Sequence, residues 1–152
     1  MTVVEYLDTC LADYGITKHC STPTAEALAH KEHVPDANVA KPVLVKADGD
    51  FCMCVLPADR KIDLKMLKAQ LNAKTLSLAS EEEMVDLFDD CELGTEPPFG
   101  IIYGIETYMD RSLENDKYIV FQGGTHETAI SMSMEEYERM AYPRIMDFTV
   151  ER

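Results

Sequence analysis

Residues 39–56, VAKPVLVKADGDFCMCVL, decide the fold class. Two apolar runs flank the sequence Asp48-Gly49-Asp50, and an Asp-Gly step between apolar runs is typical of a tight β-hairpin turn. The many β-branched and sulfur-containing residues of both runs favour buried strands. We therefore predict two antiparallel strands, over residues 39–45 and 51–56, at the centre of a sheet.

Upstream of this hairpin, the pattern predicts two helices and a short strand. The first helix repeats apolar residues at helical spacing until a glycine stops it: Val4, Leu7, Leu11 and Tyr14. A short strand is expected over residues 16–19. The second helix is expected to be capped by Thr22, with Pro23 at its first position, where a proline costs no hydrogen bond.

Downstream, helical and extended patterns alternate irregularly. Asp63 opens a third helix, and capping boxes that begin at Ser80 and Ser133 open two more. Strands are predicted over 75–78, 101–103, 107–109, 118–121 and 128–132. Several hairpin-type connections favour an α/β fold of the mixed α+β kind: a central mixed, largely antiparallel sheet with helices packed on it. No linker interrupts the pattern, so residues 1–152 are expected to form one domain.

The composition excludes several classes of protein. With 46% hydrophobic and 28% charged residues, the chain is ordinary for a globular protein and is not expected to be disordered. It has no apolar run of roughly 18 residues for a membrane span, and no basic segment typical of a signal peptide. A cytoplasmic protein with five reduced thiols is the expectation. Cys52 and Cys54 are expected to pack in a core rather than to bind a metal, and no cofactor is expected.

The net charge of −14 at first argues against a nucleic-acid partner, but the charge is unevenly distributed. Residues 1–76 carry a net charge of −1 and residues 77–152 carry −13. Residues 41–74 are locally positive, with seven Lys and Arg against four Asp and Glu. Lys61, Lys65 and Lys68, at i, i+4 and i+7, would share one face of the third helix. This row is either an ordinary solvated face or a contact with tRNA phosphates.

Lys41 is the most informative candidate for a site residue. Since strand side chains alternate, Val39, Lys41, Val43 and Val45 share one otherwise apolar face. A lysine in an apolar row is costly unless it is paired or functional. It either extends its amine over the sheet edge into solvent or takes part in chemistry.

Two glycine-containing loops are further candidates. In Gly94-Thr95-Glu96-Pro97-Pro98-Phe99-Gly100, prolines fix the shape, and exposed amides of Phe99 and Gly100 could face an oxyanion. In Gln122-Gly123-Gly124-Thr125-His126-Glu127, glycines would let the backbone approach a ligand beside His126. Each loop could equally be a plain connection, and there is no GxSxG or P-loop motif.

Together, these segments resemble the YbaK family, also called the prolyl-tRNA-synthetase-associated or bacterial insertion-domain family. The stretches that carry the resemblance are VAKPVLVKADGDFCMCVLPADRKIDLKML, LFDDCELGTEPPFGIIYG, YMDRSLEND and IVFQGGTHETAISM. The resemblance implies a YbaK-like fold and an aminoacyl-tRNA deacylase that removes a small amino acid, such as Ala or Cys, from proline tRNA. An aminoacyl-tRNA is then the expected partner, and an aminoacyl-tRNA synthetase a second one.

The resemblance also implies roles for single residues. Lys41 resembles the family's essential strand lysine, which would position the ester. Gly94 and Pro98 match its GxxxP loop, which would supply backbone donors. Gly124 and His126 match its second pocket loop. The remaining match is an acidic position, Asp110, which is expected among the substrate-binding residues. Where the family commonly has a small polar residue after the lysine, this chain has a proline.

The implied chemistry is hydrolysis without a protein nucleophile. In the family, the ribose 2′-hydroxyl of the substrate is thought to help place the water, and the protein supplies position and charge. His126 would then shape a small amino-acid pocket. The alternative, from a different class of function, is a non-catalytic module that docks on a synthetase or another protein through its acidic half.

Overall fold

The computed structural model describes residues 1–152 and contains five helices, ten strands and three short 3₁₀ segments. The helices are α1 (Val3–Thr9), α2 (Ala25–Glu32), α3 (Leu64–Leu71), α4 (Glu81–Leu87) and α5 (Met134–Ala141). The strands are β1 (Gly15–Lys18), β2 (Ala40–Ala47), β3 (Asp50–Pro57), β4 (Arg60–Ile62), β5 (Leu76–Leu78), β6 (Glu106–Asp110), β7 (Tyr118–Gln122), β8 (Thr128–Ser133), β9 (Arg144–Met146) and β10 (Thr149–Glu151). No helix is both long and apolar enough to span a bilayer.

The strands form three sheets. The largest has the order β5-β2-β3-β6-β9, with antiparallel pairing around β2 and parallel pairing from β3 to β9. A three-stranded antiparallel sheet has the order β1-β8-β7, and β10 pairs with β4. This arrangement confirms the predicted mixed α+β fold, in which most neighbouring strands are antiparallel.

The predicted hairpin is the centre of the large sheet. The strands β2 and β3 pair over eight residues each, from Ala40 opposite Pro57 to Ala47 opposite Asp50. At the turn, Asp48 has a φ of 49° and Gly49 a φ of 88°. Two successive positive φ values define the turn that matches the twist of the flanking strands, and they explain the Asp-Gly step.

Three apolar clusters hold the sheets and helices together. The largest lies between the two larger sheets and under α1 and α5, and includes Phe99, Phe121 and Tyr137. A second cluster packs α2 against Val39 and Val120. A third packs α3 against the opposite face of the large sheet, where Cys52 and Cys54 are buried as expected for packing thiols.

Local predictions were wrong in three places. α1 ends at Thr9, and Leu11, assigned from its spacing to the helix face, is 88% exposed with a φ of 56°. α2 begins at Ala25, because Thr24 rather than Thr22 caps it by accepting a hydrogen bond from the amide of Ala27. Residues 101–103 form a 3₁₀ turn rather than a strand.

Candidate functional site

A crevice opens where β2 and β7 separate. The two strands meet at a single parallel bridge between Val39 and Val120 and do not pair beyond it. Side chains two residues apart in a strand point to the same side. Lys41 and Gln122 each lie two residues beyond the bridge, and both line the crevice. The bridge therefore fixes a cation and an amide on facing walls.

The crevice has a volume of about 230 Å³. It is lined by residues of α2, of β2 and β7, of α4 and of the loop after α4: Pro23, Thr24, Ala25, Leu28, Val39, Ala40, Lys41, Pro42, Met84, Gly94, Glu96 and Gln122. Drug-sized ligands occupy pockets of roughly 300–1,000 Å³, so this crevice suits a smaller group.

The start of α2 gives one wall of the crevice a positive character. Thr24 caps the helix by accepting from Ala27, and the amides of Ala25 and Glu26 in the first turn make no hydrogen bond within the protein. Such free amides, at the positive end of the helix dipole, favour a negatively charged or carbonyl oxygen.

Lys41 carries a free charge at the edge of the crevice. Its side chain is half-buried and makes no hydrogen bond or ion pair. Burial lowers the pKa of Lys41 below the usual lysine value, and the negative charge of Asp59 opposes that shift. Lys41 lies between two apolar clusters. Val39 belongs to the cluster under α2, and Val43 packs on the cluster under α3. Lys41 therefore lies in an apolar row of its strand, as predicted.

The loop after α4 brings Gly94 and Glu96 to the crevice. Gly94 has a φ of 89°, which L side chains rarely adopt, and its amide donates to Oε1 of Glu96 at 3.0 Å. The Glu96 side chain is only 5% exposed. The Glu96 amide makes no hydrogen bond within the protein, so it is a backbone donor that this loop leaves unused.

The second glycine loop supports the first one from behind. The amide of Gly124 donates to the carbonyl of Thr95 at 3.0 Å, and the amide of His126 donates to Oε1 of Glu92 at 2.8 Å. The imidazole Nδ1 of His126 lies 3.1 Å from the carbonyl oxygen of Thr22. Gly124 and His126 thus hold the walls in place and do not line the crevice themselves.

The prediction that amides of Phe99 and Gly100 are exposed was wrong. The Phe99 amide donates to the carbonyl of Pro97 at 2.8 Å, and the buried Gly100 amide donates to Oγ1 of Thr107 at 2.9 Å. The Phe99 ring lies in the main core. The carbonyl of Pro98 accepts from the Tyr137 hydroxyl at 2.7 Å. The Pro98–Gly100 segment therefore anchors the loop and offers no donor to a ligand.

Asp110 has a structural role and does not line the crevice. It is buried, and its Oδ1 accepts from the Phe148 amide at 3.0 Å. Its Oδ2 accepts from the amide and hydroxyl of Ser112 and from Oγ1 of Thr149 at 2.8 Å. Burial raises the pKa of Asp110, but these hydrogen bonds outweigh it and leave the pKa below the usual value. Asp110 joins the end of β6 to β10.

The three lysines predicted to share a helix face do not do so. Lys61 lies in β4, opposite Val150, because Asp63 caps the helix and α3 begins only at Leu64. Lys65 and Lys68 are exposed on α3. None of the three lines the crevice.

Sequence reasoning missed three parts of the site: Glu96, Gln122 and the start of α2. Glu96 and Gln122 lie within the two loop motifs, but a single polar residue beside glycines and prolines carries no distinct signal. The start of α2 was placed two residues too early. No group of three or more His, Cys, Asp or Glu side chains is placed to hold a metal ion.

Comparisons with known proteins agree on one family. A family model described as an aminoacyl-tRNA editing domain matches residues 19–140. The multifunctional Ser/Thr-tRNA deacylase ProXp-y of Escherichia coli K12 is 27% identical over 142 residues, which are 90% of this chain and 84% of that protein. A proline–tRNA ligase of Streptomyces avermitilis is 36% identical over 80 residues, which are 53% of this chain and 14% of the ligase.

The fold is also shared with solved structures. One of them, described as a candidate trans-editing enzyme for prolyl-tRNA synthetase, superposes with a TM-score of 0.87 at 19% identity. The superposition covers 97% of this chain and 94% of that chain. At this level of identity, the likeness supports the fold alone.

Proposed function

Because the chain belongs to the aminoacyl-tRNA editing domain family, we propose that it hydrolyses the ester of a mischarged aminoacyl-tRNA in the crevice beside Lys41. The family confirms the resemblance seen in the sequence and makes the protein a deacylase rather than a non-catalytic binding module. The observation that carries the assignment of the site is the unpaired, half-buried Lys41 at the mouth of a crevice of about 230 Å³.

The step is attack of water on the ester carbonyl. The bond between the carbonyl carbon and the ribose oxygen breaks, one proton of the water passes to the ribose oxygen, and the amino acid leaves as its carboxylate while the second proton is released to solvent. Lys41 would stabilise the negative charge that develops on the carbonyl oxygen, together with the free amides of Glu96 and of the first turn of α2.

No protein nucleophile is needed for this step. Serine, cysteine and histidine are absent from the crevice wall, and the hydroxyl of its single threonine, Thr24, is engaged as the cap of α2. In this proposal the 2′-hydroxyl of the terminal ribose helps to place the water. The protein contributes position and charge.

The substrate we propose is a small aminoacyl group, alanyl or cysteinyl, carried by proline tRNA. A crevice this small would exclude larger side chains by steric clash, which discriminates better than attraction in an apolar pocket. Seryl and threonyl esters are the necessary comparison, because the E. coli relative is described as a Ser/Thr-tRNA deacylase.

The proposal includes a cytoplasmic setting and a synthetase as a second partner. Its support is the similarity to a segment of a proline–tRNA ligase. The chain would then act in trans, on tRNA that the synthetase has mischarged.

A deacylation assay tests the proposal. Wild type and Lys41→Ala are compared on alanyl-, cysteinyl-, seryl-, threonyl- and prolyl-tRNA, with Lys46→Ala as matched control. Lys46 lies on the same strand but pairs with Glu83 at 2.6 Å, away from the crevice. Loss of one charge-stabilising donor typically costs about 10²–10³-fold in rate, and we expect that loss for Lys41→Ala only. A folded Lys41→Ala variant with the wild-type rate would show that the site is elsewhere.

A further inference from the structure

Gln122 is a buried residue of the crevice wall whose side-chain oxygen has no hydrogen-bond partner. Its side chain is only 8% exposed, and its Oε1 atom is buried without any hydrogen-bond partner. Buried polar atoms are almost always hydrogen-bonded, and leaving one unpaired is costly. Gln122 lines the crevice, and half a turn of its terminal amide, which exchanges Oε1 with Nε2 in the same volume, would turn this acceptor towards a donor group of a ligand.

Glu96 adds a negative charge to the same crevice. Its Oε1 accepts from the amide of Gly94 at 3.0 Å, while its Oε2 makes no hydrogen bond within the protein. No ion pair joins Glu96 to Lys41, although both line the crevice. The crevice therefore holds the cation of Lys41 on β2 and, separately from it, the carboxylate of Glu96 and the neutral amide of Gln122.

This separation of charges matches the two ends of an aminoacyl ester. The carbonyl group accepts hydrogen bonds, and the α-ammonium group, one carbon away, donates three. Resting on the proposed function, we propose that Glu96 and Gln122 bind the α-ammonium group of the aminoacyl ester while Lys41 faces its carbonyl. The enzyme then selects esters with a free α-ammonium group over N-acylated and α-hydroxy esters of the same size.

Two esters that differ only in this group test the inference. Alanyl-tRNA is compared with lactyl-tRNA, made from it by nitrous acid deamination, which replaces the ammonium group with a hydroxyl. Since hydrogen bonds to charged groups are roughly twice as strong as neutral ones, wild type should prefer the alanyl ester about tenfold or more. The Glu96→Gln and Gln122→Met variants should lower the alanyl rate and leave the lactyl rate near that of wild type.

A merely structural role would give a different pattern, because a damaged crevice slows both esters equally. Glu82→Gln, which makes the same charge change as Glu96→Gln on the exposed side of α4 and outside the crevice, is the matched control and should keep the wild-type ratio of the two rates. Circular dichroism checks that each variant is folded, and Glu96→Gln, which keeps an acceptor for the Gly94 amide, is the milder of the two changes.

The outcomes separate the inference from the proposed function. A fall in the alanyl-to-lactyl ratio for both variants supports the inference. An unchanged ratio, or an equal loss on both esters, overturns it and leaves the deacylase intact. Hydrolysis of neither ester, nor of any other ester of the panel, by wild type overturns the proposed function and the inference with it.

Discussion

The imidazole of His126 lies directly behind Gly94: a β-carbon built on Gly94 would be 3.7 Å from Cε1 of that ring. The same ring reaches the carbonyl of Thr22, just before α2. One side chain thus connects two walls of the crevice that are distant in sequence. The shape of the crevice depends on this connection as much as on the residues that line it.

Gly94→Ala should lower both stability and activity. At a φ of 89° the substitution strains the backbone by about 1–2 kcal/mol, and relief of that strain would shift the loop, although the new methyl group itself makes only an ordinary contact with His126. Gly49→Ala is the matched control, because Gly49 has nearly the same φ, 88°, in a turn with open space around it. Thermal melts should show similar losses for both variants, and deacylation at a temperature where both are folded should fall for Gly94→Ala alone. Equal activities of the Gly94→Ala and Gly49→Ala variants would show that Gly94 does not shape the site.

His126→Ala should widen the range of accepted amino acids. Without the ring, the Gly94 loop and the segment before α2 lose a shared support, and larger groups such as prolyl should be hydrolysed faster relative to alanyl. Rates on alanyl-, cysteinyl-, seryl- and prolyl-tRNA measure the effect. His30→Ala, on the exposed side of α2, is the control. Identical ratios for wild type and His126→Ala would contradict the prediction.

Asp59→Asn should shift the pH dependence of deacylation. Burial lowers the pKa of Lys41 and Asp59 raises it, so removal of Asp59 lowers that pKa further. The charged lysine is then lost at a lower pH, and the alkaline fall of kcat/KM, corrected for spontaneous ester hydrolysis, should move to lower pH. Asp50→Asn makes the same charge change at the other end of the hairpin and should leave the profile in place. Coincident profiles for Asp59→Asn and wild type would exclude Lys41 as the titrating group.

Lys65→Glu with Lys68→Glu should weaken tRNA binding without affecting chemistry. Both residues are exposed on α3 in the locally basic part of an acidic chain. The apparent KM should rise for aminoacyl-tRNA but not for a minimal aminoacyl-nucleoside, and each lost phosphate contact should reduce the slope of log affinity against log salt by about 1. Lys61→Glu, on β4, is tested separately. An effect confined to that variant would place the tRNA on the strand rather than on the helix.

Asp110→Asn should destabilise the protein by about 2–3 kcal/mol at neutral pH, because hydrogen bonds to a buried carboxylate are lost. The folded-state pKa of Asp110 is lowered, so its contribution is complete above the unfolded pKa and is lost as pH falls through the folded one. Denaturant melts from pH 7 into the acid range should therefore converge for wild type and variant. Asp147→Asn, in an exposed ion pair with Arg111, should cost less than about 1 kcal/mol.

The hairpin and its lysine were predictable because local geometry determines them. The turn requires two positive φ values, which Asp48-Gly49 supplies, and strand alternation then sets the face of Lys41. Residues 101–103 were mistaken for a strand because Ile-Ile-Tyr has high β propensity. The structure instead ends a 3₁₀ turn at Gly104, whose φ is 71°.

The polar half of the site could not be read from local patterns. Glu96 and Gln122 matter only because the loop after α4 and the end of β7 meet around one crevice, although the two residues are 26 positions apart in sequence. Likewise, whether the amides of Phe99 and Gly100 are available depends on where the Phe99 ring goes, and it goes into the main core. Long-range packing decides both questions.

Because Val39 pairs with Val120 at a single bridge, the number of residues between Val39 and Lys41 decides which way the lysine points. Because strand side chains alternate, inserting or deleting one residue between Val39 and Lys41 would turn the amine to the opposite face of the sheet, towards the main core. The loops around Gly94 and Gly124 are not bound by this alternation, so they can change length without turning strand side chains to the other face of the sheet. Substrate preference can therefore diversify through changes in loop length, whereas the strand that carries Lys41 does not tolerate a change of register.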